Sequence, residues 1–365
     1  MSRVVSPEAE RLLDYPMPVL DKGFVTLVDY MGNDARIAQA ARVSTGGGSK
    51  SPEEDCMLIN HLIKNAHTSP FEHVVIEFHC KMPIFVARQW VRHRTARLNE
   101  ISGRYSVMKD EFYLPPSGQI SKQSKSNMQG RANDEVPDEL KQKVLDVLKR
   151  EQGNAYASYS ELVNDGIARE LARINLPLSL YTEWYWQMDL HNLFHFLELR
   201  LDPHAQWEIR QYAGALALIA KAVAPMAYAA FEKHVLCRVG FSADEAKVLF
   251  GLIAGEPVFI ADANKKSWLA RIKTRLSLAI GAAPQCEVHN PEDDVWLEGN
   301  IAAPESALPL LLDAGVQDPV YTPAMYAFTH CRISQGRMGS FKNLASKLGW
   351  TYELQPIASQ IEKKG

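Results

Sequence analysis

Residues 74–82 alternate without a break: Val74, Ile76, Phe78, Cys80 and Met82 on one side, Val75, Glu77, His79 and Lys81 on the other. Period two of this kind predicts a strand with one buried face. Pro83 ends it, and PIFVARQWVRHR follows with Phe85, Gln89 and His93 (or Val86 and Trp90) on successive turns, which predicts a helix whose last turn is cationic. A strand feeding directly into a helix limits the chain to mixed α/β architectures. Other segments read as helix: 35–43, which runs into the loop STGGGSKS at 44–51, and 189–201, where Leu190, Leu193, Phe194, Leu197 and Leu201 form an apolar stripe. Asp202 and Pro203 read as the cap and first position of a further helix, with Trp207, Leu216, Ile219 and Val223 on its buried side. A short helix is expected within 242–254.

With 365 residues, the chain exceeds one compact unit, so a main domain with an appendage is expected. The 40 Lys and Arg against 43 Asp and Glu give a net charge of -3, which excludes a globally basic chain coating nucleic acid. No apolar run reaches the roughly 18 residues of a membrane span, and MSRVVSPEAE is polar and lacks the apolar core expected of a secretory signal. The five cysteines form no CxxC pair, so neither a disulfide framework nor a zinc ribbon is expected, and a reducing, cytoplasmic setting fits. Charge is blocked beyond residue 255: a basic helix is expected over 261–280, then an acidic stretch over 281–320 with no Lys or Arg, and basic character again from Tyr321. We therefore place a domain join near Gly255–Pro257, giving 1–255 and 256–365.

The chemistry concentrates in RHRTARLNEISGRY, 92–105, which holds four arginines, no lysine and a single acid, Glu100. Guanidinium groups this close repel one another unless an anion neutralises them, and their planar paired donors match phosphate oxygens. A solvated loop or an RNA-binding stripe would accept lysine equally, so a buried phosphate site is the stronger expectation. Ser102 lacks a nameable base and reads as a contact residue rather than a nucleophile. His191 and His195 stand at i and i+4, but HNLFH lacks the glutamate of HExxH and a third ligand, so no metal is expected. STGGGSKS lacks Walker spacing.

Arg-His-Arg, seven residues and then Ser in RHRTARLNEIS resembles the signature of the flavin-dependent thymidylate synthases. HTSPFEH (67–73), PIFVARQWVRHR (83–94), RINLPLSLYT (173–182) and LRLDPHAQWEI (199–209) resemble the same family in the same order, over roughly Asp29 to Gly255. The resemblance implies an α/β fold with a small antiparallel sheet surrounded by helices, assembled as a homotetramer whose active sites are shared between subunits. The C-terminal module is left without an assigned fold. It implies conversion of dUMP to dTMP, with methylenetetrahydrofolate giving the carbon, reduced FAD the hydride and NADPH the reducing equivalents. The family uses no covalent cysteine, and none of the five cysteines here sits in a Pro-Cys-His setting.

Carried onto this sequence, the family pattern makes Arg200 the activating residue, favouring the pyrimidine with its N3 proton lost. It assigns Gln89, Arg92, Glu100, Ser102, Gly103, Arg104, Arg173 and Arg200 to dUMP. It assigns Ser44, His67, Ser69, Arg92, His93, Arg94, Glu100, Asp189, His191 and His195 to FAD. Two other readings stay open: a dUMP hydroxymethyltransferase of the same fold, and a nucleic-acid-binding protein using the arginine run. KNLASKLGWT at 342–351 resembles a helix-turn-helix faintly, though charge pairing within the module is preferred.

Overall fold

The computed structural model describes residues 4–238, apart from 49, 125–129 and 133–135, and then 240–243, 246, 249–250, 296–302, 320–322, 327–334 and 351–356. The helices expected within 242–254 and 261–280 and the 342–351 segment fall largely or wholly outside these residues. The chain divides into two compact units, Met1–Phe231 and Glu232–Gly365.

In the first unit the elements run α1 (Pro7–Glu10), β1 (Met17–Val19), β2 (Gly23–Met31), α2 (Asp34–Arg42), α3 (Pro52–Lys64), β3 (Val75–Pro83), α4 (Ile84–Trp90) and β4 (Arg97–Glu100). They continue with α5 (Asp138–Asn164), α6 (Arg169–Ala172), β5 (Tyr181–Asp189), α7 (Leu190–Arg200), α8 (Trp207–Val223) and α9 (Pro225–Phe231). The strands form one antiparallel sheet in the order β1-β2-β3-β5-β4. The alternation read over 74–82 is realised, because Val74, Ile76, Phe78, Cys80 and Met82 are all fully buried. Trp184, Trp186 and Met188 of β5 join them, and Val86 and Trp90 of α4, Phe196 of α7 and Tyr212 of α8 complete this core. Trp90 is its hub, with ring centroids 5.2–5.8 Å from Trp184, Trp186, Phe196 and Tyr212. On the opposite face, His79 stacks on Tyr185 at 4.7 Å, beside Glu183.

Local chemistry sets the helix ends. Ser51 and Glu54 make a reciprocal capping box at the start of α3. Asp34, buried, accepts the backbone N–H groups of Met226 and Ala227 at 2.9 Å each, which ties α2 to the first turn of α9. Two expected boundaries differ. The helix after Pro83 stops at Trp90, so Arg92, His93 and Arg94 lie in a turn beyond it rather than in a cationic last turn. Trp90 is drawn fully into the core there, and its carbonyl is taken by the His93 N–H in a short-range bond of 3.0 Å. Asp202 and Pro203 do not open α8. Asp202 accepts the His204 N–H at 2.7 Å and closes a local turn, and the helix begins at Trp207 after Gln206. Trp207 is consequently only half-buried, while Leu216, Ile219 and Val223 are fully buried.

The second unit contributes a four-stranded antiparallel sheet, β6 (Trp296–Ala302), β7 (Val320–Thr322), β8 (Ala327–Ser334) and β9 (Thr351–Pro356), in the order β7-β8-β6-β9. No helix among the described residues is long and apolar enough to cross a membrane.

Candidate active site

Arg200 is the last residue of α7, half-buried, and its guanidinium meets the end of a second helix. Its Nη2 donates to the Gln89 carbonyl at 3.3 Å, one of the carbonyls left over at the end of α4. Its Nε donates to His93 Nε2 at 3.1 Å. Only a neutral imidazole can accept that bond. Burial, the Arg200 charge and nearby His195 push His93 down to about 4, so it accepts at neutral pH. Burial also lowers the Arg200 pKa from its ordinary value. The His93 ring lies 5.9 Å from that of His195 and 4.8 Å from that of Phe196. Arg200 therefore arrives oriented, with part of its donor fork still open.

A second group forms on the turn after β4. Ser102 Oγ accepts the Arg104 N–H at 3.3 Å, and the Ser102 carbonyl accepts from Tyr105 and Ser106 at 3.0 Å. Gly103 is buried against Met108 and Arg173. A Cβ built on it would stand 3.0 Å from Met108 Sδ and 3.1 Å from Arg173 Cδ. The chain can approach this closely only because glycine has no side chain there. Arg104 pairs with Glu170 across an exposed 3.0 Å bridge, the kind worth little in water and readily exchanged. Glu100, at the end of β4, accepts from Thr182 Oγ1 at 2.6 Å.

A third group sits around the turn at Ser69–His73, which packs on both α2 and α7. Ser44, just past α2, and His67 and Ser69 are exposed. Asp189 caps α7 by accepting the Asn192 N–H at 2.9 Å, with half-buried His191 two positions on. Among the described residues, no group of three or more His, Cys, Asp or Glu could hold a metal ion.

One expectation is corrected. The arginine run does not form a buried phosphate site within this chain. Arg92, Arg94, Arg97 and Arg104 are exposed, and all four residues of β4 are exposed too. The physical reason is position: β4 is the outer strand of its sheet, and nothing among the described residues covers it. Sequence reasoning also passed over Thr182 and Gln206. Both lie inside segments already singled out, SLYT and HAQWEI, where no local pattern marks them; Thr182 is identified by its bond to Glu100 and Gln206 by its bond to Gln89.

The geometry fits a flavin and a nucleotide in kind. Exposed guanidiniums suit pyrophosphate and phosphate oxygens, and Gly103 supplies a close backbone approach. The family described as "Thymidylate synthase complementing protein" matches residues 26–226. A flavin-dependent thymidylate synthase of Treponema denticola is 60% identical over 244 residues, covering 67% of this chain and 92% of that protein. The enzyme of the same name from a strain of Thermus thermophilus is 56% identical over 240 residues, covering 66% of this chain and 87% of its own. The crystal structure of a UMP/dUMP methylase, PolB, from Streptomyces cacaoi bound with 5-Br dUMP aligns with a TM-score of 0.55 at 31% identity, covering 60% of this chain and 98% of that one. The sheet, the order of the sequence blocks and these likenesses agree: the chain belongs to the flavin-dependent thymidylate synthase family.

Proposed function

We propose that this protein converts dUMP to dTMP with methylenetetrahydrofolate as carbon donor and NADPH as reductant, in the cytoplasm. The observation that supports it most is the arrest of Arg200 between neutral His93 and the Gln89 carbonyl. Uracil C5 is a weak nucleophile, and a fixed guanidinium beside the ring stabilises the form that has lost its N3 proton, which returns electron density toward C5. Because His93 is neutral, it holds Arg200 without adding a competing charge. Arg92, Ser102, Gly103, Arg104 and Arg173 would seat the phosphate, with Gln89 and Glu100 completing the dUMP site. FAD would be held by Ser44, His67, Ser69, Arg92, His93, Arg94, Glu100, Asp189, His191 and His195. Reduced, it supplies the hydride that completes the methyl group.

The exposure of the arginine run and β4 supports a site completed by neighbouring subunits of a homotetramer. Residues 1–255 would form the catalytic part and 256–365 an extension. The test is turnover of dUMP, methylenetetrahydrofolate, NADPH and FAD by the wild type and by Arg200→Ala. Loss of dTMP with flavin still bound is expected, and undiminished dTMP in the variant refutes the role given to Arg200. Product mass separates methyl from hydroxymethyl transfer. A colourless preparation that retains nucleic acid would favour the binding-protein reading.

A further inference from the structure

Glu208 lies in the first turn of α8 and is only 1% exposed, a fully buried acid. Its Oε1 accepts from Tyr113 Oη at 3.0 Å and from Arg131 Nη2 at 2.5 Å, and its Oε2 accepts from Gln206 Nε2 at 2.9 Å. Gln206 Oε1 in turn accepts from Gln89 Nε2. The chain of partners therefore runs from a buried carboxylate to a residue beside Arg200.

The order of donors and acceptors along it is forced. An ionised carboxylate can only accept. The Arg131 guanidinium pairs with Glu208, and burial together with Glu208 itself pushes the Tyr113 phenol well up, so Tyr113 remains a donor. Gln206 must then face Glu208 with its NH2 group, which leaves its carbonyl oxygen for Gln89. Gln89 must answer with its own NH2 group, and its carbonyl oxygen stays available. An amide left to itself rotates between its two faces at almost no cost, since the ends are nearly the same size.

We propose that Glu208 is a positioning residue that fixes, through Gln206, which end of the Gln89 amide meets the nucleotide. Gln89 then offers dUMP an acceptor oxygen, which selects a hydroxyl or imide donor on the ligand. This rests on the reading that Gln89 faces dUMP. Replacing Glu208 by Gln removes the constraint: the new amide can present either end, Gln206 can turn over, and so can Gln89.

The flavin-loaded full chain is titrated with dUMP by flavin fluorescence, alongside steady-state turnover. If the wild type neither binds dUMP nor turns over, the proposed function fails, whatever Glu208 does. Given an active wild type, Glu208→Gln is expected to raise Kd and KM for dUMP about fivefold, the size of one lost hydrogen bond, with kcat changed less than twofold. Gln206→Ala, at an exposed position, is expected to do the same. In a Gln89→Ala background neither change should weaken dUMP further. Unchanged Kd in Glu208→Gln, or effects that add to that of Gln89→Ala, would overturn the proposal. If Glu208→Gln does not fold, Gln206→Ala alone and in the Gln89→Ala background decides between the same two outcomes.

Discussion

The tryptophan core and the arginine turn are joined by Val91 alone, yet they obey opposite rules. Trp90 is fully buried and packed on four aromatic rings, each within 6 Å of it. Two residues later Arg92 is exposed, and no ion pair engages Arg92, Arg94 or Arg97 among the described residues. The core is closed by the packing of its own rings, tightly enough that the Trp90 indole N–H is buried without a partner; the turn is left open. Close apolar packing builds stability, and a turn that leaves like charges uncovered is built to meet something else.

Substitutions at the two ends of this short segment should therefore separate folding from function. Trp90→Ala removes the hub of the core and is expected to cost about 3–5 kcal/mol of stability, read as a lower denaturant midpoint. Arg92→Ala should leave stability within about 0.5 kcal/mol and, on the proposed function, weaken dUMP or flavin binding strongly. A large stability loss in Arg92→Ala would show that the turn is part of the core after all. Between these extremes stands Asp34→Ala. It strands two N–H groups at the start of α9 and should cost about 1–3 kcal/mol, with flavin binding preserved in the folded fraction.

The same division explains what could be read from the chain before its fold was known. The buried face of β3 was legible because alternation of Val74, Ile76, Phe78, Cys80 and Met82 has a single physical cause. The end of α4 was not, because it depends on how Trp90 enters a core made by β5, α7 and α8, and no local pattern carries that. The start of α8 was misread for a related reason: Asp-Pro favours a turn as readily as a helix start, and here the Asp202 carboxylate closes on His204. At the site, the identities of the residues came through the family signature. The bonds of Arg200 to His93 and to the Gln89 carbonyl join residues 107 and 111 positions apart, and only folding brings them together.

Gly103 sharpens the comparison from the side of the turn. Gly103→Ala would set a methyl group 3.0 Å from Met108 Sδ and 3.1 Å from Arg173 Cδ. Both neighbours are the flexible parts of long side chains, so the fold should lose about 1 kcal/mol, the low end for an added methyl group. Arg173, however, must shift. A rise in KM for dUMP with little change in melting temperature is expected; an equal KM would remove Arg173 from the phosphate site.

The last effect appears only in acid and belongs to His93, which lies where the two regions touch. In the folded chain it titrates near 4, against 6.5 for a free histidine. Above pH 6.5 it is neutral whether folded or unfolded and contributes no pH dependence. As pH falls from 6.5 toward 4, the unfolded chain takes up a proton that the folded chain refuses, so stability declines across that window. Lower still, the folded imidazole is protonated as well, loses its lone pair to the proton and can no longer accept from Arg200. His93→Gln keeps an acceptor at this position but cannot titrate. Its melting temperature should fall less steeply than that of the wild type between pH 6.5 and 4, while the two proteins behave alike above pH 7 apart from a constant offset. Parallel curves through the acid window would mean that His93 is already protonated beside Arg200, and that another group orients the guanidinium.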